Sequence, residues 1–68
     1  MKNALSLSGM ERLLKKAGAE RVSNRAKEEF REIIEDYGEQ IGKKAVLFAN
    51  HSKRKTIKVE DIKLANKS

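Results

Sequence analysis

The chain is 68 residues long, carries a net charge of +6, and contains neither cysteine nor proline. Disulfides and thiolate metal sites are thereby excluded, and His51 as the single imidazole argues against a zinc centre. So short a chain buries little core by itself, and with those staples absent, oligomerisation is the remaining device.

Charged residues make up 38% of the chain, but the signs are mixed and the apolar residues periodic, which is the pattern of a folded helical domain rather than of disorder. One domain spanning residues 1–68 is expected. No apolar run is long enough to span a membrane, and the N-terminus lacks the apolar core of a signal peptide. A soluble, intracellular protein is the expectation. The isoelectric point near 9.8 points to a polyanionic partner, nucleic acid ahead of an acidic membrane surface.

Leu7, Met10, Leu13, Leu14 and Ala17 recur at helical spacing and predict a short first helix, with Gly18 as a natural residue just past its end. Ser8 and Glu11 have the Ser-x-x-Glu spacing of a capping box, although Ser6 is placed to start the helix earlier. The segment "AERVS" follows, with β-branched Val22 and then Ser23, a good N-cap residue.

Ala26, Phe30, Ile33, Ile34, Tyr37, Ile41, Ala45, Phe48 and Ala49 then mark one apolar stripe. It predicts a helix from about Asn24 to Ser52, roughly 40 Å long at 1.5 Å per residue. Gly38 and Gly42 weaken that helix by ~1 kcal/mol each relative to alanine. Four residues apart, they are either mild defects or an invitation to close approach by another helix.

Val59, Ile62, Leu64 and Ala65 predict a third helix over Val59–Asn66, with Glu60 and Asp61 in its first turn, where the helix dipole favours carboxylates. The expected architecture is all-α: short helix, long helix, short helix, joined by two brief extended loops. Two short helices cannot cover the stripe of the long one. A second chain must.

Charge is unevenly placed along this frame. Residues 1–23 carry a net +3, residues 24–50 a net −1, and residues 51–68 a net +4. A charge run is commonly a solvated face, but this segregation favours a binding surface. If two chains cross their long helices, the first loop of one meets the second loop of the other. Val22 and the Thr56-Ile57 pair then align as a short two-stranded pairing, which suits β-branched residues. Arg21, Lys53, Arg54 and Lys55 collect at that seam, and Arg12, Lys15 and Lys16 of the first helix extend it into a surface for a curved phosphate backbone.

Two motifs carry a family resemblance. "KAGAERVS" (Lys16–Ser23) and "RKTIKVEDIKLA" (Arg54–Ala65), with "IGKKAV" and "NHSKRKTIK" between them, resemble the archaeal histones over nearly the whole span from Leu13 to Ala65. The resemblance implies the histone fold, a handshake dimer (with itself or with a related histone), and double-stranded DNA wrapped around stacked dimers with little sequence preference. It implies a minor-groove role for Arg21, and backbone contacts for Arg12, Lys15, Ser23, Lys55 and Thr56, beside Lys53 from the seam argument. An exposed lysine at such a position also serves plain solubility.

Further roles follow from the same resemblance. Arg54 and Asp61 resemble an intrachain salt bridge that holds the second loop. Phe48, His51 and Asp61 match residues that meet between dimers, with Phe48 where an aliphatic residue is usual; a lone histidine near a helix end is also an ordinary polar cap. Gly18 matches the small residue that lets neighbouring layers of DNA-wrapped protein approach. Glu32 and Lys63 look like a sign-reversed layer-bridging pair, Asp36 and Lys67 like a preserved one, while Lys16 and Asn50 replace a third. The N-terminal "MKNALSLSGM" lacks the usual prolines, and no long tails are expected, hence no regulation by tail modification.

An enzyme is not expected: nothing supplies a nucleophile–base pair or a metal cluster, and no cofactor is implied. A single-strand binder would need exposed stacking aromatics, whereas Phe30, Tyr37 and Phe48 lie on the stripe. The alternative is a histone-fold subunit of a heterodimeric transcription factor. A helix-turn-helix regulator fits poorly, because the long helix leaves no compact recognition helix. The expected place is the cytoplasm, on the chromosome.

Overall fold

A computed structural model describes residues 4–68; residues 1–3, which open the N-terminal segment considered above, lie outside it. Its elements are three helices, α1 (Leu7–Lys16), α2 (Asn24–His51) and α3 (Val59–Lys67), with no strand among the described residues. The chain divides into two compact units at residues 36 and 37, with α2 contributing to both.

In the first unit α1 starts earlier than the Ser-x-x-Glu spacing favours. Ser6, in extended backbone, is the N-cap, and its hydroxyl accepts from the Gly9 N–H at 3.0 Å. A Cβ on Gly9 would stand 3.0 Å from that hydroxyl, so glycine is what lets the cap close this tightly. Glu11 takes no part in a capping box. Its carboxylate is drawn instead to Lys27 of α2 and Lys15 of α1, each at 3.2 Å. Met10 is buried, whereas Leu13 is half exposed.

The end of α1 is a Schellman turn. Ala19 N–H donates to the Leu14 carbonyl and Gly18 N–H to the Lys15 carbonyl, each at 3.0 Å, with Gly18 at φ +119°. The chain then runs to Ser23, whose hydroxyl accepts from Ala26 N–H at 3.1 Å and caps α2. Glu35, further along α2, accepts from the Leu5 N–H at 3.0 Å and ties the segment ahead of α1 to the long helix.

In the second unit α3 packs on the later turns of α2 through small residues. Ala45, Ala49 and Ala65 are buried, and side chains so small leave room for two helices to pack closely. Tyr37 donates its hydroxyl to Asn66 Oδ1 at 3.0 Å, and Lys44 donates to the Ser68 carbonyl at 3.1 Å. The stripe is otherwise only partly covered. Ile41 and Phe48 are half-buried, and Tyr37 is exposed.

Positions 39, 42, 43, 46 and 47 form another face of α2, which the stripe did not include. Together with Ile57 they line an apolar groove of about 670 Å³ to which Glu39 and Lys43 contribute the charged side chains. Leu47 is 67% exposed there. Among the described residues, a Cβ on Gly38 or Gly42 would meet nothing within 4 Å beyond its own helix backbone and adjoining residues.

Candidate nucleic-acid interface

The second loop is built around one carboxylate. Asp61 is the third residue of α3 and accepts from the Lys58 N–H at 2.8 Å, the half of a capping box that its carboxylate can perform; the Lys58 side chain has no acceptor for the other half. Arg54 donates to both Asp61 oxygens, at 2.9 and 3.0 Å, and to the Thr56 carbonyl at 3.0 Å. Asp61 is only 2% exposed, so a buried charge is matched by a bidentate guanidinium and a backbone N–H. These donors hold the Asp61 carboxyl below its usual range, the Arg54 hydrogen bonds contributing most and the Lys58 N–H next, against the opposing effect of burial. Arg54 is correspondingly raised, chiefly by the Asp61 hydrogen bond.

The consequence is a division of labour among the cations. Arg54 is turned inward and engaged by Asp61. Lys53, Lys55 and the Thr56 side chain are exposed on the same short loop. The backbone N–H groups of Lys53 and Arg54 are also used, donating to the carbonyls of Asn50 (2.8 Å) and Ala49 (2.9 Å) at the end of α2. What the loop can present to an anion is therefore two ammonium groups and a hydroxyl.

In the first unit, Arg12 and Arg21 are exposed, and Ser23 keeps its hydroxyl proton available because the oxygen serves as the cap acceptor. Lys15 is a different case. It shares Glu11 with Lys27, and that pair of donors lowers the Glu11 carboxyl, Lys27 first and Lys15 second. Its charge is thus partly balanced, unlike that of Arg12. Lys27, whose side chain is mostly buried, and Glu35 hold the unit together in a way that no periodicity announces, since each acts on a residue distant in sequence.

The residues named for contacts between dimers and between layers are placed as follows. Phe48 is half-buried and His51 exposed at the end of α2. Asp61 already accepts three hydrogen bonds, which leaves about one of a carboxylate's acceptor directions open. Gly18 holds its positive φ with open space around it. Glu32 and Asp36 are exposed in the first unit, and Lys63 and Lys67 are exposed in the second. Among the described residues no cluster of histidine and acidic side chains is placed to hold a metal ion, and no helix is long and apolar enough to cross a membrane.

A short–long–short helical chain whose second loop is closed by an Arg–Asp clamp defines a histone-fold protein. The family described as "histone-like transcription factor (CBF/NF-Y) and archaeal histone" matches residues 4–65, and the chain belongs to that family. Within it, the chain is similar to the HAN1 archaeal histone of Thermococcus zilligii, at 48% identity over 94% of this chain and 96% of the relative. It is also similar to a probable archaeal histone 3 of Methanocaldococcus jannaschii, at 54% identity over 79% of this chain and 81% of that one.

Proposed function

We propose that the chain is an archaeal-type histone. It binds double-stranded DNA with little sequence preference and compacts it by wrapping it around histone-fold dimers and their assemblies. The observation that carries this reading is the second loop, where Asp61 absorbs Arg54 and leaves Lys53, Lys55 and Thr56 facing solvent. Lysines and hydroxyls suit phosphate oxygens, and none of these groups is the side-chain amide that reads adenine bidentately. The two relatives, both named as archaeal histones, support the same reading.

Residues 1–68 act as one histone-fold domain whose dimer is a handshake, formed with a second copy or with a related histone. Its exposed apolar side chains, Ile33, Tyr37, Val46, Leu47 and Ile57 among them, are the surface a second chain covers. In the dimer Val22 of one chain lies beside Thr56 and Ile57 of the other, bringing Arg21 next to Lys53 and Lys55. Arg12, Lys15 and Ser23 continue the phosphate track, and Arg21 enters the minor groove. Phe48, His51 and Asp61 join dimers end to end, and Gly18, Glu32 and Lys63 face the next layer. The role is structural and chromosome-associated, without catalysis.

The test is duplex binding over a salt series, on a flexible and a stiff sequence. Arg21→Ala weakens binding and reduces the preference for the flexible duplex, because a guanidinium in a narrow groove reads its width. Lys55→Ala weakens both duplexes alike and flattens the salt slope by about one unit. A discrimination of ~10³-fold or more between unrelated duplexes of matched flexibility would overturn the packaging reading in favour of a sequence-specific transcription factor.

A further inference from the structure

Two helices of this chain end in the same turn but fill its critical position differently. In both, the residue just past the cap donates to the carbonyl three residues back, and the next residue donates to the carbonyl five back. At the end of α1 the critical residue is Gly18 (φ +119°); at the end of α2 it is Lys53 (φ +59°). Lys53 is the single non-glycine residue in left-handed backbone among the described residues. There a Cβ crowds the following carbonyl, and lysine lacks the short polar side chain with which asparagine or aspartate offsets that cost.

We propose that Lys53 is a phosphate-contact residue, held in a backbone position that glycine would fill more stably, so that stability is given up at this turn for a fixed cation. The inference rests on the DNA-binding reading above. The chemistry of the loop explains why a side chain is needed there. The Lys53 and Arg54 N–H groups are both taken by α2 carbonyls, and the Arg54 guanidinium is taken by Asp61 and the Thr56 carbonyl. With glycine at 53, the loop would be left with Lys55 and the Thr56 hydroxyl alone to offer an anion. Hydrogen bonds of 2.8 and 2.9 Å on either side of Lys53 also fix its Cα–Cβ direction, so less freedom is lost when the ammonium meets a phosphate.

The rival explanation is that the cation serves the dipole of α2. That benefit is available throughout the last turn, where His51 already stands, and does not require a left-handed residue. The two explanations differ in what Lys53→Gly does. The variant and wild type are compared by thermal unfolding and by binding to a mixed-sequence duplex over a salt series, with Lys53→Arg as the charge-conserving control.

Lys53→Gly is expected to raise the thermal midpoint by roughly 4–8 °C. At the same time it weakens duplex binding on the order of tenfold at 0.1 M salt, with the salt slope reduced by about 0.9 for each site lost. Lys53→Arg keeps the wild-type slope and gains no stability. A Lys53→Gly protein that binds with unchanged affinity and slope would overturn the proposal, as would one whose midpoint does not rise. The wild-type curve separates this failure from that of the underlying reading: absence of salt-dependent duplex binding by wild type removes both, whereas normal wild-type binding with an indifferent Lys53→Gly removes only the role of Lys53.

Discussion

Asp61 serves three purposes at once. It caps α3, neutralises Arg54, and through Arg54 fixes the Thr56 carbonyl and hence the course of the second loop. Because its folded-state pKa lies below the ordinary value of 3.8, its contribution is fully present above that pH and is lost as the pH falls through the lower, folded-state value. Asp61→Asn is therefore expected to be less stable than wild type at pH 7, with the gap closing as the pH drops below 3.8. Urea midpoints of both proteins across that range check it, and a gap independent of pH would place the aspartate's role elsewhere. Lys43→Ala, which breaks only the exposed pair with Glu39, serves as the control and changes little. Asp61 and Arg54 are seven apart in the chain, close enough for a motif to show them together. Lys27 and Glu35 were not legible in this way, because their partners Glu11 and Leu5 are sixteen and thirty residues distant.

Among the helices, periodicity located each element within a residue or two of its observed end. α2 runs Asn24–His51 against an expected Asn24–Ser52, and α3 runs one residue past the expected Asn66. Capping chemistry was harder to read. The Ser8–Glu11 spacing is a local signal, and it lost to a tertiary one, the attraction of Lys27 for Glu11 across to α2. Once Glu11 is engaged, Ser6 with Gly9 makes the cap instead. Ser6→Ala is expected to cost ~1 kcal/mol in thermal or urea unfolding, while Ser8→Ala is nearly neutral. The reverse order of the two would restore the capping box as the start of α1.

For the chain in its entirety, the governing fact is how little of its apolar surface it can cover. Among the described residues the buried apolar side chains are Met10 and three alanines, whereas Ile33, Leu47, Val59 and Leu64 are each more than half exposed. Folding and association are therefore expected to be one process. The thermal midpoint is expected to rise with protein concentration, and Ile34→Asp, which places an unpaired charge in the proposed seam between chains, to abolish folding. Circular dichroism at several concentrations, together with the sedimentation mass, tests both. A monomer with a concentration-independent midpoint would require the exposed groove of Val46, Leu47 and Ile57 to have some other purpose.

Spacing and composition were enough to establish the helical class, the order and lengths of the helices and the segregation of charge to the two ends, while the resemblance to the archaeal histones rested on the two loop motifs. A period of 3.6 or a run of lysines needs no third dimension to be visible. Which cations remain free became visible only once the chain was folded. Lys53, Arg54 and Lys55 are equivalent as letters, yet one is held in left-handed backbone, one is consumed by a buried carboxylate, and one stays exposed. The same holds for Lys15 and Lys27, both bound to Glu11. The reason is that a charge is made available or consumed by its nearest partner, and partners are brought within about 3 Å by the packing of helices rather than by their distance along the chain.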